Sequence, residues 1–436
     1  MKVRSIAGIA VAGAALLLGS PARAAETHPL FSDGAVLQQG MPVPVWGTGQ
    51  DGESVTVEIQ GQRASTTVHN GKWVVRLKKL KPGGPFTMTI GSAGQPRITG
   101  NVGVGGGVAI QVVRNVLVGE VWICSGQSNM QWALRQTRDP EKAAAASSNS
   151  QIRLLTIPRV AKDQPQSTVE VNWRECGPST TPDFSAVAYY FGRDLQKELG
   201  VPIGLISTNY GGTPAEAWTR REVLEGNPVL QGILTNHDRA RRQMPMLRLR
   251  HEMALREHQA AAEAARQAGR PVPPAPRLND PSQSPQRPCG LYNAMIAPLI
   301  PYAIRGAIWY QGESNAGRAW EYRTLFPAMI KNWRDDWGQG DFPFLFVQLA
   351  PFMRIVQEPG ESNWAELREA QLYTAQTVPN TAQAVITDAG EENDIHPKWK
   401  EPVGQRLALA ARRLAYGHRI EHSGPVYAKH RVDGNR

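Results

Sequence analysis

The chain has 436 residues, 41% of them hydrophobic, with 42 glycines and a formal net charge of +10. That length suits two domains, and the composition suits a globular protein with many turns. The positive surplus is concentrated in one arginine-rich segment, so it reads as a solvated face and excludes nucleic acid as the expected partner.

Lys2 and Arg4 precede an apolar run from Ile6 to Leu18, and Ala22-Arg23-Ala24 forms a small-x-small cleavage site before Ala25. Residues 1–24 are therefore predicted to be a secretory signal peptide, too short and wrongly flanked to span a bilayer. No integral membrane segment is expected after its removal, and the mature chain is expected to be periplasmic or secreted. In such an oxidising compartment two of the three cysteines can pair. Cys176 with Cys289 is the more plausible couple, since Cys124 sits in a strand.

Residues 25–115 predict a β-sandwich domain. Short β-branched or alternating runs such as Val43–Trp46, Ser54–Ile59, Trp73–Leu77 and Phe86–Ile90 are separated by Gly-, Pro- and Asn-bearing turns. Gly103-Val-Gly-Gly-Gly107 lacks the spacing and following helix of a dinucleotide loop and is expected to be a hairpin tip.

From Val116 the rhythm becomes strand–loop–helix, which predicts an α/β domain with a mostly parallel, three-layer sheet over residues 116–425. Ala186 to Leu199 has helical spacing and Gly200 as its stop; Gly404 to Tyr416 is a basic amphipathic helix. An insertion over about 237–288 begins helical and returns as a Pro- and Ser-rich stretch, expected to shape a cleft rim. Residues 426–436 predict a loose tail with few apolar residues, possible as the start of a shortened β segment.

Three polar clusters follow strands of this second region, after Cys124, Ser207 and Tyr310, and loops at the carboxyl ends of parallel strands are where sites form. The first is a tight Ser-Gly-Gln turn ending on Ser128, followed by a helical pattern. That placement exposes a nucleophilic hydroxyl beside free helix-start N–H groups; the plainer alternative is that Ser128 or Ser125 caps the helix. Among the nine histidines, His396 alone falls on a carboxyl-end loop, in Asn393-Asp-Ile-His-Pro397. Asp394, two residues before it, is placed to hold one imidazole nitrogen; Asp388, at the end of the strand expected over Ala382–Asp388, is the alternative acid.

Oxyanion and substrate-binding candidates are the Ser128 N–H, Gly211, Gly212, and the side chains of Gln311, Glu313 and Asn315. For Glu313 a structural carboxylate bracing its loop is the competing role. Neither a metal nor another cofactor is expected, because His251-Glu252 and His258 miss the zincin spacing and no Cys/His cluster occurs. Trp132, Trp218 and Trp309 are candidate sugar platforms, with core packing the commoner role.

Gly126-Gln-Ser-Asn-Met130, Gly211-Gly-Thr-Pro-Ala-Glu-Ala-Trp218, Ile308-Trp-Tyr-Gln-Gly-Glu-Ser-Asn315 and Asp394-Ile-His-Pro397 together resemble the blocks of the sialate O-acetylesterase family within the SGNH hydrolases. Phe31–Gln39 and Pro42–Gly47 also resemble that family's opening β-domain. The resemblance implies an SGNH-hydrolase-like three-layer fold and a metal-free serine esterase that removes acetyl groups from sugar hydroxyls. It implies Ser128 as nucleophile and His396 as base, with an O-acetylated carbohydrate as the partner. Related proteins act on acetylated xylan and other plant polysaccharides, so an acetylxylan esterase is the enzymatic alternative, and a non-catalytic carbohydrate-binding protein the alternative of another class. The superfamily often carries Asp three residues before the His, where this chain has Asn393. Family members often continue into further β-strands beyond the position where Arg436 stands, which is the origin of the shortened-segment expectation.

Overall fold

The computed structural model describes residues 25–93, 97–99, 102–104, 108–358 and 360–434. The expected signal peptide lies outside them. The fold is mixed α/β. It opens with β1 (Glu26–Thr27), β2 (Val36–Gln38), β3 (Val43–Thr48), β4 (Ser54–Ile59), β5 (Gln62–Thr67), β6 (Lys72–Leu77) and β7 (Gly83–Ala93). In β4 and β6 every second residue is buried (Val55, Val57 and Ile59; Trp73, Val75 and Leu77), the period-two pattern of strands with one face on a core. Strands β1, β3 and β6 form an antiparallel sheet, while β4, β5 and β7 pair antiparallel in a second sheet. A hairpin of β8 (Arg97–Thr99) and β9 (Val102–Val104) follows, with Gly103 opposite Ile98. Gly103 is thus a strand residue, and residues 105–107 of the expected glycine tip lie outside the described residues.

One strand, β10 (Val108–Gly126), joins the two regions. Its first half pairs antiparallel with β7, and Leu117–Gly119 run parallel to β2. The register shifts between Val113 and Val116, where Asn115 adopts φ 56. The boundary expected after residue 115 therefore falls on a bulge within a continuous strand, where no linker intervenes. Beyond the bulge come β11 (Asn149–Thr156), β12 (Arg174–Cys176), β13 (Ile203–Asn209), β14 (Gly306–Tyr310), β15 (Phe344–Val347) and β16 (Thr381–Ala384). They order as β12-β11-β13-β10-β14-β15-β16, every pair parallel except β11 with β12. Every residue of β13 and β14 is buried, as expected of parallel strands in the middle of a sheet.

The helix Ala186–Leu199 starts where the Ser185 hydroxyl accepts from Ala188 N–H at 3.2 Å and stops at Gly200, which is left-handed at φ 66. It packs on Glu401–Leu414, and the two approach closely because Gly404 has no side chain: a Cβ there would lie 2.5 Å from Tyr190 Cβ. The arginine-rich insertion forms helices Gln231–Arg242 and Met244–Gln267, then returns through residues 270–287 with turns only. The tail from residue 418 to 434 carries no helix or strand. Cys176 and Cys289, the more plausible couple had two cysteines paired, are not bonded: all three cysteines are free and buried. Cys176 Sγ contacts the Thr181 hydroxyl at 3.3 Å and the Ser147 carbonyl at 3.2 Å, which accounts for its burial as a thiol.

Gly126, the last residue of β10, adopts φ 140, and a Cβ there would lie 2.1 Å from the Tyr310 carbonyl oxygen. Glycine is therefore required twice over, by conformation and by space. Gly126→Ala is expected to cost about 2–4 kcal/mol, read as a lowered midpoint in a denaturant titration. A midpoint equal to that of the unsubstituted protein would contradict this close approach.

Candidate active site

Parallel pairing brings the ends of three strands to one level: Gly126 is opposite Asn209 on β13 and Tyr310 on β14. The chain leaves β10 through Gln127, whose N–H donates to the Tyr310 carbonyl at 3.0 Å, and enters a short helix, α1 (Ser128–Gln131). Gln127 occupies the cap position, and its side chain makes no capping bond. Ser128 is the first helical residue, so it does not act as the cap. Its hydroxyl lies 2.8 Å from His396 Nε2. Ser125 is fully buried in β10, and its hydroxyl has no hydrogen-bond partner among the described residues.

His396 comes from the loop after β16. Asp394 Oδ1 accepts the His396 backbone N–H at 2.8 Å and lies 3.8 Å from the imidazole Nδ1. The i to i+2 turn thus holds the carboxylate on the Nδ1 side of the ring while Nε2 faces Ser128. Asp388 is occupied elsewhere. β16 ends at Ala384, so Asp388 stands in a turn, where Arg406 clamps both its oxygens at 2.6 Å and holds its carboxyl below the usual range. The Trp132 indole stacks on the imidazole with centroids 4.8 Å apart and planes 11° from parallel. Burial pushes the His396 imidazole below its ordinary value of 6.5, and the nearby Lys400 ammonium adds to this against the pull of Asp394.

The remaining residues singled out in the sequence divide by position. Gly211 packs against the nucleophile turn, since a Cβ on it would stand 3.4 Å from Ser128 Cβ; its N–H donates to Gln131 Oε1 at 2.7 Å. Gly212 is exposed and left-handed at φ 69, and its carbonyl accepts from Gln286 Nε2 at 2.8 Å, tying the returning insertion to this loop. Gln311 and Asn315 are buried and bond each other at 2.6 Å. Gln311 also receives the Tyr322 hydroxyl, and Asn315 receives Ala215 N–H and donates to Glu216. Both amides are spent on bracing the loop after β14, which explains why they do not present donors at the Ser128 hydroxyl. Glu313 accepts from Asn129 Nδ2 at 2.6 Å, and burial pushes its carboxyl up. Trp218 and Trp309 are core residues, fully buried and 5.9 Å apart edge to face.

Sequence reasoning passed over Gln127, Asn129, Gln131 and Lys400. The first three lie inside the same turn as Ser128, where adjacency alone was the available signal. Lys400 carried none: it is four residues past His396, yet only 1% exposed, and it donates to Asn129 Oδ1. Among the described residues no group of three or more His, Cys, Asp or Glu side chains is placed to hold a metal ion.

Residues 284–413 match the family described as carbohydrate esterase, sialic acid-specific acetylesterase. Over 418 residues the chain is 32% identical to the sialate O-acetylesterase of Mus musculus, covering 88% of this chain and 72% of that protein. For the Homo sapiens sialate O-acetylesterase the identity is 30% over 420 residues, with 88% and 70% covered. The crystal structure of a carbohydrate acetylesterase from Xanthomonas citri superposes with a TM-score of 0.74 at 36% identity, covering 93% of this chain and 78% of that one. Aligned over most of its length with these proteins, the chain is a carboxylic ester hydrolase and belongs to the sialate O-acetylesterase family.

Proposed function

We propose that this chain is an exported serine esterase that hydrolyses O-acetyl groups on carbohydrate hydroxyls, with acetylated sialic acid as its substrate class. The observation that carries the serine route is the 2.8 Å contact between Ser128 Oγ and His396 Nε2 at the end of β10. With the imidazole proton on Nδ1, beside Asp394, Nε2 accepts the hydroxyl proton as Ser128 Oγ attacks the acetyl carbonyl. The carbonyl electrons move to oxygen, where the Ser128 N–H at the start of α1, with Gly212, supplies donors; Gly211 keeps the adjoining backbone close. Collapse expels the sugar oxygen, which takes the proton from His396 and leaves an acetyl-Ser128. His396 then deprotonates a water that attacks this ester, and acetate departs as Ser128 recovers its proton. The 3.8 Å between Nδ1 and Asp394 is loose for a hydrogen bond, and such contacts tighten as the imidazolium forms.

The substrate class rests on the named relatives, both called sialate O-acetylesterases. Export rests on the leader pattern of residues 1–24. For the architecture, we propose that the N-terminal sheets face each other as a sandwich up to about residue 115, and that helices cover both faces of the β12–β16 sheet as an α/β/α unit over 116–425. The burial of every residue in β13 and β14 supports that layering, and alternating burial in β4 and β6 supports the sandwich.

A direct comparison of acetate release from O-acetylated sialic acid, acetylated xylan and acetylated pectin oligosaccharides tests the substrate class. The sialic acid ester is expected to be turned over fastest; preference for xylan would move the assignment to the plant-polysaccharide esterases.

Ser128→Ala is expected to lose at least about three orders of magnitude in esterase rate with its circular dichroism unchanged. Comparable activity would overturn the acetyl-enzyme route. Asp394→Asn is expected to reduce kcat by up to about four orders of magnitude, as far as its protease analogue, while Asp388→Asn stays near the unsubstituted rate. The reverse ranking would transfer the acid role to Asp388.

The pH dependence follows from the sign of the His396 shift. The base works unprotonated, and its value is depressed, so activity persists to lower pH than an unperturbed histidine would allow. The acid limb of kcat/KM is expected to have its midpoint below pH 6.5. A midpoint above that would mean the imidazole is not shielded as the geometry has it.

A further inference from the structure

Asn129, the residue after Ser128, is a junction beneath the site. Its Nδ2 donates to Glu313 Oε1 at 2.6 Å and to the Ile395 carbonyl at 2.9 Å, and its Oδ1 accepts from Lys400 Nζ. One amide therefore connects the nucleophile turn, the loop after β14 and the residue preceding His396. The Lys400 ammonium also lies 6.0 Å from the centre of the Trp132 ring and 5.4 Å from that of Tyr310. Trp132 in turn stacks on His396, so the lysine stands behind the plate that backs the imidazole.

A buried lysine costs stability unless its charge is answered, and a hydrophobic side chain of similar length would fill the same space without that cost. What the ammonium adds is direction. An amide that bonds Glu313 and the Ile395 carbonyl must present Nδ2 to both, and a cation on the other side can be met only by Oδ1, so Lys400 admits one of the two amide orientations. We propose that Lys400 is a positioning residue of the esterase centre: its bond to Asn129 locks the link between the Ser128 turn and the His396 loop. This rests on the serine route proposed above.

The charged and titratable groups around Lys400 come from several elements. Glu313 and Tyr310 approach from β14 and its following loop; Asp394, Glu391 and His396 approach from the loop that carries the base. A cavity that Lys400 also lines adds Arg138, Asp139, Lys142, Lys398 and Glu401, with Tyr190 and Arg193 from the helix Ala186–Leu199. Asn129 of α1 and Trp132 just after it are neutral. Burial brings the Lys400 ammonium down to about 7, opposed by Glu313, Asp394 and Glu391. In its charged form Lys400 disfavours imidazolium.

The test uses the full chain with Lys400→Met and Lys400→Arg, kcat and KM followed against pH on an acetyl ester, and folding followed by circular dichroism. A fluorophosphonate that labels Ser128 in the unsubstituted protein checks the serine route separately. Lys400→Met is expected to lose about tenfold or more in kcat with little change in KM, and to move the acid limb up by about half a pH unit or more. Lys400→Arg, keeping the charge, is expected to leave the limb in place. Labelling of Ser128 with an unmoved limb in Lys400→Met overturns the Lys400 assignment alone; failure to label overturns the serine route. If neither variant folds, lysine side-chain NMR of the unsubstituted protein decides. One lysine resonance that shifts on Ser128 phosphonylation supports the assignment, and the absence of any such shift overturns it.

Discussion

The long strand β10 is the constraint on which the molecule depends. Its first half is held by β7 and β2, its second by β13 and β14, and Ser128 follows two residues after it ends. Because side chains alternate along a strand, a slip of one residue against β13 or β14 would exchange the side chains on the two buried faces of this sheet and misplace the Gly126 turn. The bulge around Asn115 separates the two pairing regimes, so the N-terminal sheet can follow its own register without disturbing that of the sheet that carries the site. The same strand that completes the first sheet delivers the serine at the edge of the second.

Around that edge, polar groups are arranged in two tiers. The upper tier meets solvent: Ser128 and His396 are partly exposed and Gly212 fully so. The lower tier is closed, with Gln311, Asn315, Asn129 and Lys400 buried and bonded to one another or to backbone. Low dielectric strengthens each of these bonds and makes each missing partner costly. The lower tier therefore behaves as a rigid floor, and the geometry between Ser128 and His396 inherits that rigidity. Arg318, which pairs with Glu216 and Glu321, anchors the far end of the floor to the helix Ala319–Trp337.

How much of this was legible in the sequence depended on whether the signal was local. The apolar spacing of Ala186–Leu199 and Gly200 state a helix and its stop within fifteen residues, and the structure has that helix with that end. Ser128, Asp394 and His396 could be picked out because each lies in a short polar turn after an apolar strand. Gln311 and Asn315 have the same local character, yet their partners, Tyr322, Ala215 and Glu216, come from distant segments, so sequence could not show that their amides were already engaged. Cys176 and Cys289 are alike in this respect, since pairing depends on a distance that spacing does not encode. Lys400 was the hardest to see. A lysine at the start of a basic helix reads as solvated, and only the folded packing of Trp132, Tyr310 and Asn129 around it reverses that reading.

The face-to-face contact of Trp132 with His396 has an optical consequence. An imidazolium accepts an electron from an excited indole far more readily than a neutral imidazole does, and at stacking distance that transfer competes with emission. Trp132 is one of twelve tryptophans, and many of the others, Trp122, Trp218, Trp309 and Trp333 among them, are sealed in the core, where their emission is insensitive to the protonation of this ring. The ionisation of His396 is therefore written into the fluorescence of its stacked neighbour, Trp132, and the protein carries its own spectroscopic gauge of this ring without any added label.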